Sequence, residues 1–154
     1  MEMASTANRE VIYRLRHDVY ARELGQHEIR PQARLRDALD DRNVYIVARC
    51  GDAVAGFISV TPAQAEVFSI DKYFRRADVP IAFDGKLAEV RLLTVQKPFR
   101  GTPLAVLLMY AAFRWAESHG STHIIAIGRR EIRDLYERVG MTPLGMSTRS
   151  GHVT

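Results

Sequence analysis

Residues 86–119 read KLAEVRLLTVQKPFRGTPLAVLLMYAAFRWAESH. The first ten, 86–95, have the alternation of a strand, which predicts Glu89, Arg91 and Leu93 on one face and Val90 and Leu92 on the other. The pattern breaks over Pro98 to Thr102. Thr102 is a good helix N-cap and Pro103 suits the first helical position. The segment LAVLLMYAAFRWAESH is then apolar almost all round until its last turn, which predicts a helix covered on most sides. Gly120 closes it.

Working outward, residues 122–127, THIIAI, read as a short apolar strand of the kind found at buried central positions. Residues 130–139 return to helix, with Ile132, Leu135, Tyr136 and Val139 on one stripe. Gly140 ends that helix, and MTPLGMSTR reads as a final strand. Upstream, NVYIVARC and AVAGFISVT flank Gly51-Asp52, where a Gly-first turn suits a two-residue hairpin. Residues 62–84 are irregular, with a short helix at DKYFRRA. Residues 26–42 are polar, with a short helical turn in RLRDALDDR. Residues 9–24 carry Ile12, Leu15, Val19 and Tyr20 at helical spacing, and Gly25 stops that helix. The order α-β-β-β-α-β-α-β predicts an α/β (α+β) fold, a mixed central sheet with helices on both faces.

The chain has 154 residues, 47% hydrophobic and 26% charged. That composition excludes a disordered chain and favours one domain over residues 1–154. No apolar run reaches the roughly 18 residues of a membrane span. MEMASTANRE lacks the apolar core of a signal peptide, and Cys50 is the only cysteine. These features lead to the expectation of a cytoplasmic protein. The net charge is +4, and of 22 basic residues only Lys72, Lys86 and Lys97 are lysines. Arginine favours planar contacts with phosphate and carboxylate, so the bias reads either as simple composition or as a sign of an anionic ligand or acidic partner. Charges of both signs alternate along the chain, and no basic stripe for nucleic acid stands out.

Three places carry candidate chemistry. Thr102 and Pro103 open a helix whose first turn offers backbone N–H groups and the positive end of the helix dipole, with Lys97 and Arg100 beside it. This reads as a phosphate cradle or as an ordinary capped helix on a basic loop. Glu89 and Arg91 are charges within an otherwise apolar strand, where a charge must be paired or face a cleft. They read as a proton acceptor with a carboxylate-holding arginine, or as a solvent-facing ion pair. Tyr136 lies on an apolar helical stripe, either as core or as a hydroxyl able to protonate a leaving group. His119 and His123 flank Gly120 and do not share a helical face, so no metal site is expected. No GxSxG, GxxxxGK[ST] or GxGxxG pattern occurs.

In this order the segments resemble the GNAT superfamily of acyl-CoA-dependent N-acyltransferases, over most of the chain. LAEVRLLTVQKPFRGTPLAVLLM and IRDLYERVGMTPLG carry the likeness most clearly. The family's [QR]-x-x-G-x-[GA] pyrophosphate loop aligns with Arg100-Gly101-Thr102-Pro103-Leu104-Ala105. Its ends match, but its central glycine is Pro103, which has no N–H to give a phosphate. The resemblance implies two splayed central strands, Val90–Val95 and Ile124–Ile127. A thioester arm would lie between them and pair with backbone near Leu93 and Val95. It makes Arg100, Gly101, Thr102 and Ala105 the phosphate-binding residues, Glu89 the general base and Tyr136 the general acid.

VIYRLRHDVYARELG is similar to the opening helix of acyl-homoserine-lactone synthases and N-acyl amino acid synthases, through Arg16, Tyr20 and Glu23. That likeness implies a long-chain acyl donor, acyl-CoA or an acyl carrier protein thioester, with an amine acceptor held by Arg16, Tyr20 and Arg91. Ser59 stands near the place of an arginine usual in autoinducer synthases, and the spacing Glu89-Val90-Arg91 also differs from theirs, which sets lactone synthesis aside. The expected activity is transfer of an acyl group from a thioester to the amine of a small molecule such as an amino acid. A non-catalytic thioester- or carrier-protein-binding domain is the other reading, motivated by Pro103 and the short C-terminus. The family ends in a two-strand hairpin, whereas SGHVT stops where the last strand should begin. This reads as a domain cut from a longer protein or as one without its last edge strand.

Overall fold

The alternating residues of 44–61 fold as an antiparallel hairpin, and the rest of the sheet is added to its two sides. The computed structural model describes residues 2–3, 12–13, 43–128 and 132–146. Five strands, β1 (Glu2–Met3), β2 (Val44–Cys50), β3 (Ala53–Thr61), β4 (Leu87–Val95) and β5 (His123–Ala126), lie in that order. All neighbours are antiparallel except β4 and β5, which are parallel. Helix α1 (Leu104–Ser118) is the crossover that a parallel pair requires, and α2 (Arg133–Arg138) follows β5. The two-residue β1 was not anticipated from the sequence. Of the helix expected over 9–24, Ile12 and Tyr13 are described and are helical; its other residues, Arg16, Tyr20 and Glu23 among them, lie outside the described residues.

Period-two alternation sorts the sheet into two faces. One carries Ile46, Ala48, Ile58, Val60, Ala88 and Val90 against Leu108, Met109, Ala112 and Ala116 of α1. The other carries two apolar clusters. Tyr45, Val47, Val54 and Phe57 pack with Ile12 and Tyr13, and Leu87 and Ile125 pack with Phe68, Ile70 and Val79. The expectation of a mixed sheet with helical residues on both faces is met.

Four local expectations are corrected. Leu93 does not share a face with Glu89 and Arg91. Ser59 pairs with Arg91 and Phe57 with Thr94, so Ile58 alone opposes Leu92 and Leu93. Leu92 sits at φ 58°, the left-handed region, and this bulge flips the alternation. Leu92 therefore packs with Tyr45 and Phe57, and Leu93 with the α1 face. Helix α1 is not covered on most sides, since Leu107 is 49% and Tyr110 60% exposed.

Strand β5 is the last in the sheet order among the described residues, and only its Ile125 is buried, so it is not a covered central strand. The final strand expected over MTPLGMSTR is absent from its described part, residues 141–146. Pro143 has no N–H for a ladder and Gly145, at φ 75°, turns the chain out of extended conformation. The short helix expected at DKYFRRA is realised as two 3₁₀ turns, Ser69–Lys72 and Arg76–Asp78.

Gly56 on β3 permits the close approach of the bulged strand. A β-carbon there would lie 2.7 Å from the Thr94 carbonyl oxygen and 3.2 Å from Leu108 Cδ1. The backbone oxygen cannot swing away, so Gly56→Ala should destabilise the fold by about 1–3 kcal/mol. This is read as a fall of several degrees in Tm; an unchanged Tm would show that β3 and β4 are not held this closely.

Candidate active site

The Glu89–Arg91 pair occupies a buried polar strip on the face opposite α1. Along β4 that face runs from Leu87 in one apolar cluster, through Glu89 and Arg91, to Leu92 in the other. On β3, Thr61 pairs with Glu89 and Ser59 with Arg91. Asn43, Ser59, Thr61, Glu89 and Arg91 are all buried, and Glu89 is fully so. Thr61 Oγ1 donates to Asn43 Oδ1 at 2.7 Å. The solvent-facing ion pair that the sequence left open is therefore not what forms.

A buried carboxylate must be hydrogen-bonded or neutral. The Glu89 carboxylate accepts from the Ser69 N–H at 2.7 Å and the Ile70 N–H at 3.0 Å. Both donors belong to the 3₁₀ turn Ser69–Lys72, whose opening N–H groups have no partner within the turn itself. Burial pushes the Glu89 carboxyl above the usual glutamate range; the Ser69 N–H and hydroxyl, the Ile70 N–H and the Arg91 charge pull the other way without cancelling it. A carboxyl raised in this way is a better proton acceptor near neutral pH than an exposed one.

The strands part just beyond these residues. Pairing of β4 with β5 runs from Leu87–His123 to Val90–Ala126 and ends there, while β4 continues to Val95 along β3. Leu93 and Val95 lie beyond the last β5 partner, on the α1 side. The Val95 carbonyl accepts from Arg100 Nε at 2.9 Å, so Arg100 closes the loop back onto the end of the strand.

The loop then enters α1. Here the sequence reading shifts by one residue: Pro103, not Thr102, is the N-cap, and Leu104 is the first helical residue. Thr102 Oγ1 chiefly donates to the Phe99 carbonyl at 2.6 Å and accepts the Leu104 N–H only at 3.4 Å. The Leu107 N–H goes to the Pro103 carbonyl. The Ala105 and Val106 N–H groups have no acceptor among the described residues. Gly101 at φ 84° makes the turn before them. Two amides, a helix dipole, and the exposed Lys97 and Arg100 make a fit for a phosphate.

Tyr136, on α2, packs on the α1 face of the sheet. It thus approaches from the side opposite Glu89. Gly128, two residues past β5, seats its ring: a β-carbon there would lie 2.6 Å from Tyr136 Cε2 and 3.1 Å from its hydroxyl oxygen. The structure brings Glu89 and Arg91 together with Ser59 and Thr61, and groups Arg100 to Ala105 at one helix end. Arg16 and Tyr20 lie outside the described residues. Sequence reasoning missed Asn43, Thr61, Ser69 and Gly128. A polar residue in an apolar strand was a usable signal for Thr61, and a glycine directly after THIIAI was one for Gly128.

The Gly128–Tyr136 contact is tested by a double-mutant cycle. Gly128→Ala should cost about 1–3 kcal/mol through overpacking, and most of that cost should vanish in a Tyr136→Ala background. Additive stabilities would show that Gly128 does not seat this ring.

The model of the N-acyl amino acid synthase FeeM family matches residues 11–154. Comparison with curated protein sequences gives no match. Among solved structures, the chain is similar to the CoA-dependent acyl-homoserine lactone synthase BjaI with SAM and isopentyl-CoA. The two are 26% identical with a TM-score of 0.76, covering 91% of this chain and 69% of that one. An acetyltransferase of Trypanosoma brucei is 16% identical, with a TM-score of 0.61 and coverage of 96% and 95%. The aminoglycoside N-acetyltransferase AAC(6')-Iy in complex with CoA is 14% identical, with the same TM-score and coverage. These two share the fold. The family match over residues 11–154 shows the class: the chain belongs to the FeeM family of N-acyl amino acid synthases and is an acyltransferase.

Proposed function

We propose that this chain transfers an acyl group from a thioester, acyl-CoA or acyl carrier protein, to the amine of a small molecule, an amino acid in the simplest case. The observation that carries the assignment of roles is the buried Glu89 carboxylate, oriented by two backbone N–H groups at the point where β4 and β5 part. An ammonium group is not a nucleophile and must lose a proton before it attacks. Glu89 takes that proton, directly or through one water. Arg91, two residues along the same face, supplies positive charge for a carboxylate on the acceptor; Arg16 and Tyr20 are assigned to the same acceptor.

The thioester arm enters the gap beyond Val90 and Ala126, where Leu93 and Val95 offer a strand without a β5 partner. A phosphate group of the donor binds at the Ala105 and Val106 N–H groups, with Arg100, Gly101 and Thr102 shaping the loop. Pro103 removes one potential donor, yet two remain, which favours a working donor site over a non-catalytic binding domain. The amine nitrogen attacks the thioester carbonyl from the Glu89 face and a tetrahedral intermediate forms. The C–S bond then breaks: Tyr136, approaching from the other face, gives its proton to the thiolate, and the second proton shed by the attacking nitrogen passes through solvent to restore the tyrosine. Base and acid on opposite faces of the sheet match a reaction in which nucleophile and leaving group occupy different sides of one carbon.

The test is steady-state acyl transfer with acyl-CoA and acyl carrier protein donors against amino acid acceptors, following free thiol and amide product. Glu89→Gln should lower kcat about 10²- to 10⁴-fold, the usual worth of a positioned base. Tyr136→Phe should cost less, about tenfold, because a thiolate of pKa near 8.5 departs with little help. Unchanged turnover in Glu89→Gln would remove the base assignment, and unchanged turnover in Tyr136→Phe would remove the acid.

A further inference from the structure

The two N–H groups that hold Glu89 lie on a loop, and a loop needs something to fix its orientation. Ile70 is anchored by burial among Phe68, Val79, Leu87 and Ile125. A second anchor is polar. Arg76 Nε donates to Asp71 Oδ1 at 2.8 Å and Arg76 Nη2 to Asp71 Oδ2 at 2.9 Å, a two-pronged pair. Arg76 Nη2 also donates to the Glu66 carbonyl at 2.9 Å. The guanidinium lies 5.2 Å from the Phe68 ring centre and 4.6 Å from that of Phe83. Asp71 Oδ2 in turn accepts the Phe68 N–H at 2.8 Å, the residue just before the two donors. One arginine thus ties together residues 66, 68, 71 and 83, and the turn it encloses presents Ser69 and Ile70 to Glu89.

We propose that the Arg76–Asp71 clasp is a positioning device for the active-site carboxylate: by fixing the turn at residues 69–72 it holds two N–H groups on Glu89 and so sets the pH range over which Glu89 is ionised. The proposal rests on Glu89 acting as the base. Glu66 and Asp71 are both loop residues, but only Asp71 uses its side chain in the clasp. Among the described residues, the charged groups that act on Glu89 are Arg91 on β4 and Arg76 on the loop, the latter paired with Asp71. The partners on β3 and β5, Thr61 and Ile125, carry no charge.

Charge alone and positioning predict opposite signs for one substitution. Asp71→Asn leaves the Arg76 charge unopposed, which by itself would make Glu89 easier to ionise. It also loosens the clasp, which takes N–H donors from the carboxylate and makes Glu89 harder to ionise. Arg76→Lys keeps the positive charge and loses the two-pronged geometry.

The experiment is a carbon NMR titration of protein labelled at the glutamate carboxyl, with the Glu89 signal identified from Glu89→Gln. It is run beside the pH dependence of kcat/KM, and circular dichroism confirms that each variant is folded. Asp71→Asn and Arg76→Lys should both raise the Glu89 midpoint by about one pH unit, a tenfold change in proton affinity, and the acid limb of kcat/KM should move up with it. A midpoint that falls or stays in Asp71→Asn, or that stays in Arg76→Lys, overturns the clasp. If Asp71→Asn does not fold, Arg76→Lys decides alone. A midpoint that rises while the acid limb stays fixed upholds the clasp and instead overturns the assignment of Glu89 as base.

Discussion

A carboxylate in the middle of a buried strand has to be hydrogen-bonded or paired by the groups around it. Glu89 meets that requirement with the N–H groups of Ser69 and Ile70. The rest of the site follows from it. The segment 62–86 has to fold back over β4 to bring those amides, which is why an irregular stretch is nonetheless packed through Phe68, Ile70 and Val79. The polar strip has to be bounded by apolar clusters, so Leu87 lies on one side of it and Leu92 on the other. Solvation by two amides is partial compensation only, and the carboxyl that results is harder to ionise than one in water.

The second constraint is the bulge at Leu92. A leucine at φ 58° costs about 1–2 kcal/mol relative to extended backbone. It persists because Leu92 gains packing against the Tyr45–Phe57 cluster. Its effect is to turn β4 within its own length: Glu89 and Arg91 point to one face, Leu93 and Val95 to the other. The β5 pairing stops one residue before Arg91. A single strand therefore carries Glu89 on one side of the sheet and the Leu93–Val95 edge on the other, the places that the proposed reaction gives to base and donor, with Tyr136 seated on Gly128 on the second side.

Much of this was legible in the residues. The hairpin around Gly51-Asp52, the strand at 86–95 and the helix after Thr102 follow from alternation and punctuation, which are local signals. Charges at Glu89 and Arg91 within an apolar strand marked the site, because burying them needs a reason. The face of Leu93 was not legible: a bulge depends on the register with β3, and period-two reasoning carries the alternation straight through it. The exposure of Leu107 and Tyr110 was also hidden, since an apolar helix face says nothing about whether a neighbour covers it. The 3₁₀ turn that holds Glu89 has no periodicity at all, and the roles of Ser69 and Ile70 come from their backbone N–H groups, which every residue type but proline shares. Pro143 and Gly145, by contrast, were visible breakers in the segment read as a final strand.

The central claim is that Glu89 sits in the fold as a carboxyl destabilised in its ionised form, held ready to accept a proton. It is tested most directly by the stability of wild type and Glu89→Gln measured against pH. A carboxyl whose folded-state pKa is raised binds more protons in the native than in the unfolded state. It therefore contributes stability that is complete below the ordinary glutamate pKa and is lost as pH rises through the folded value. The account predicts that wild-type Tm falls relative to Glu89→Gln as pH is raised from about 4 upward. If wild-type Tm instead gains on Glu89→Gln over that range, Glu89 is a stabilising structural anion, and the site has been misread.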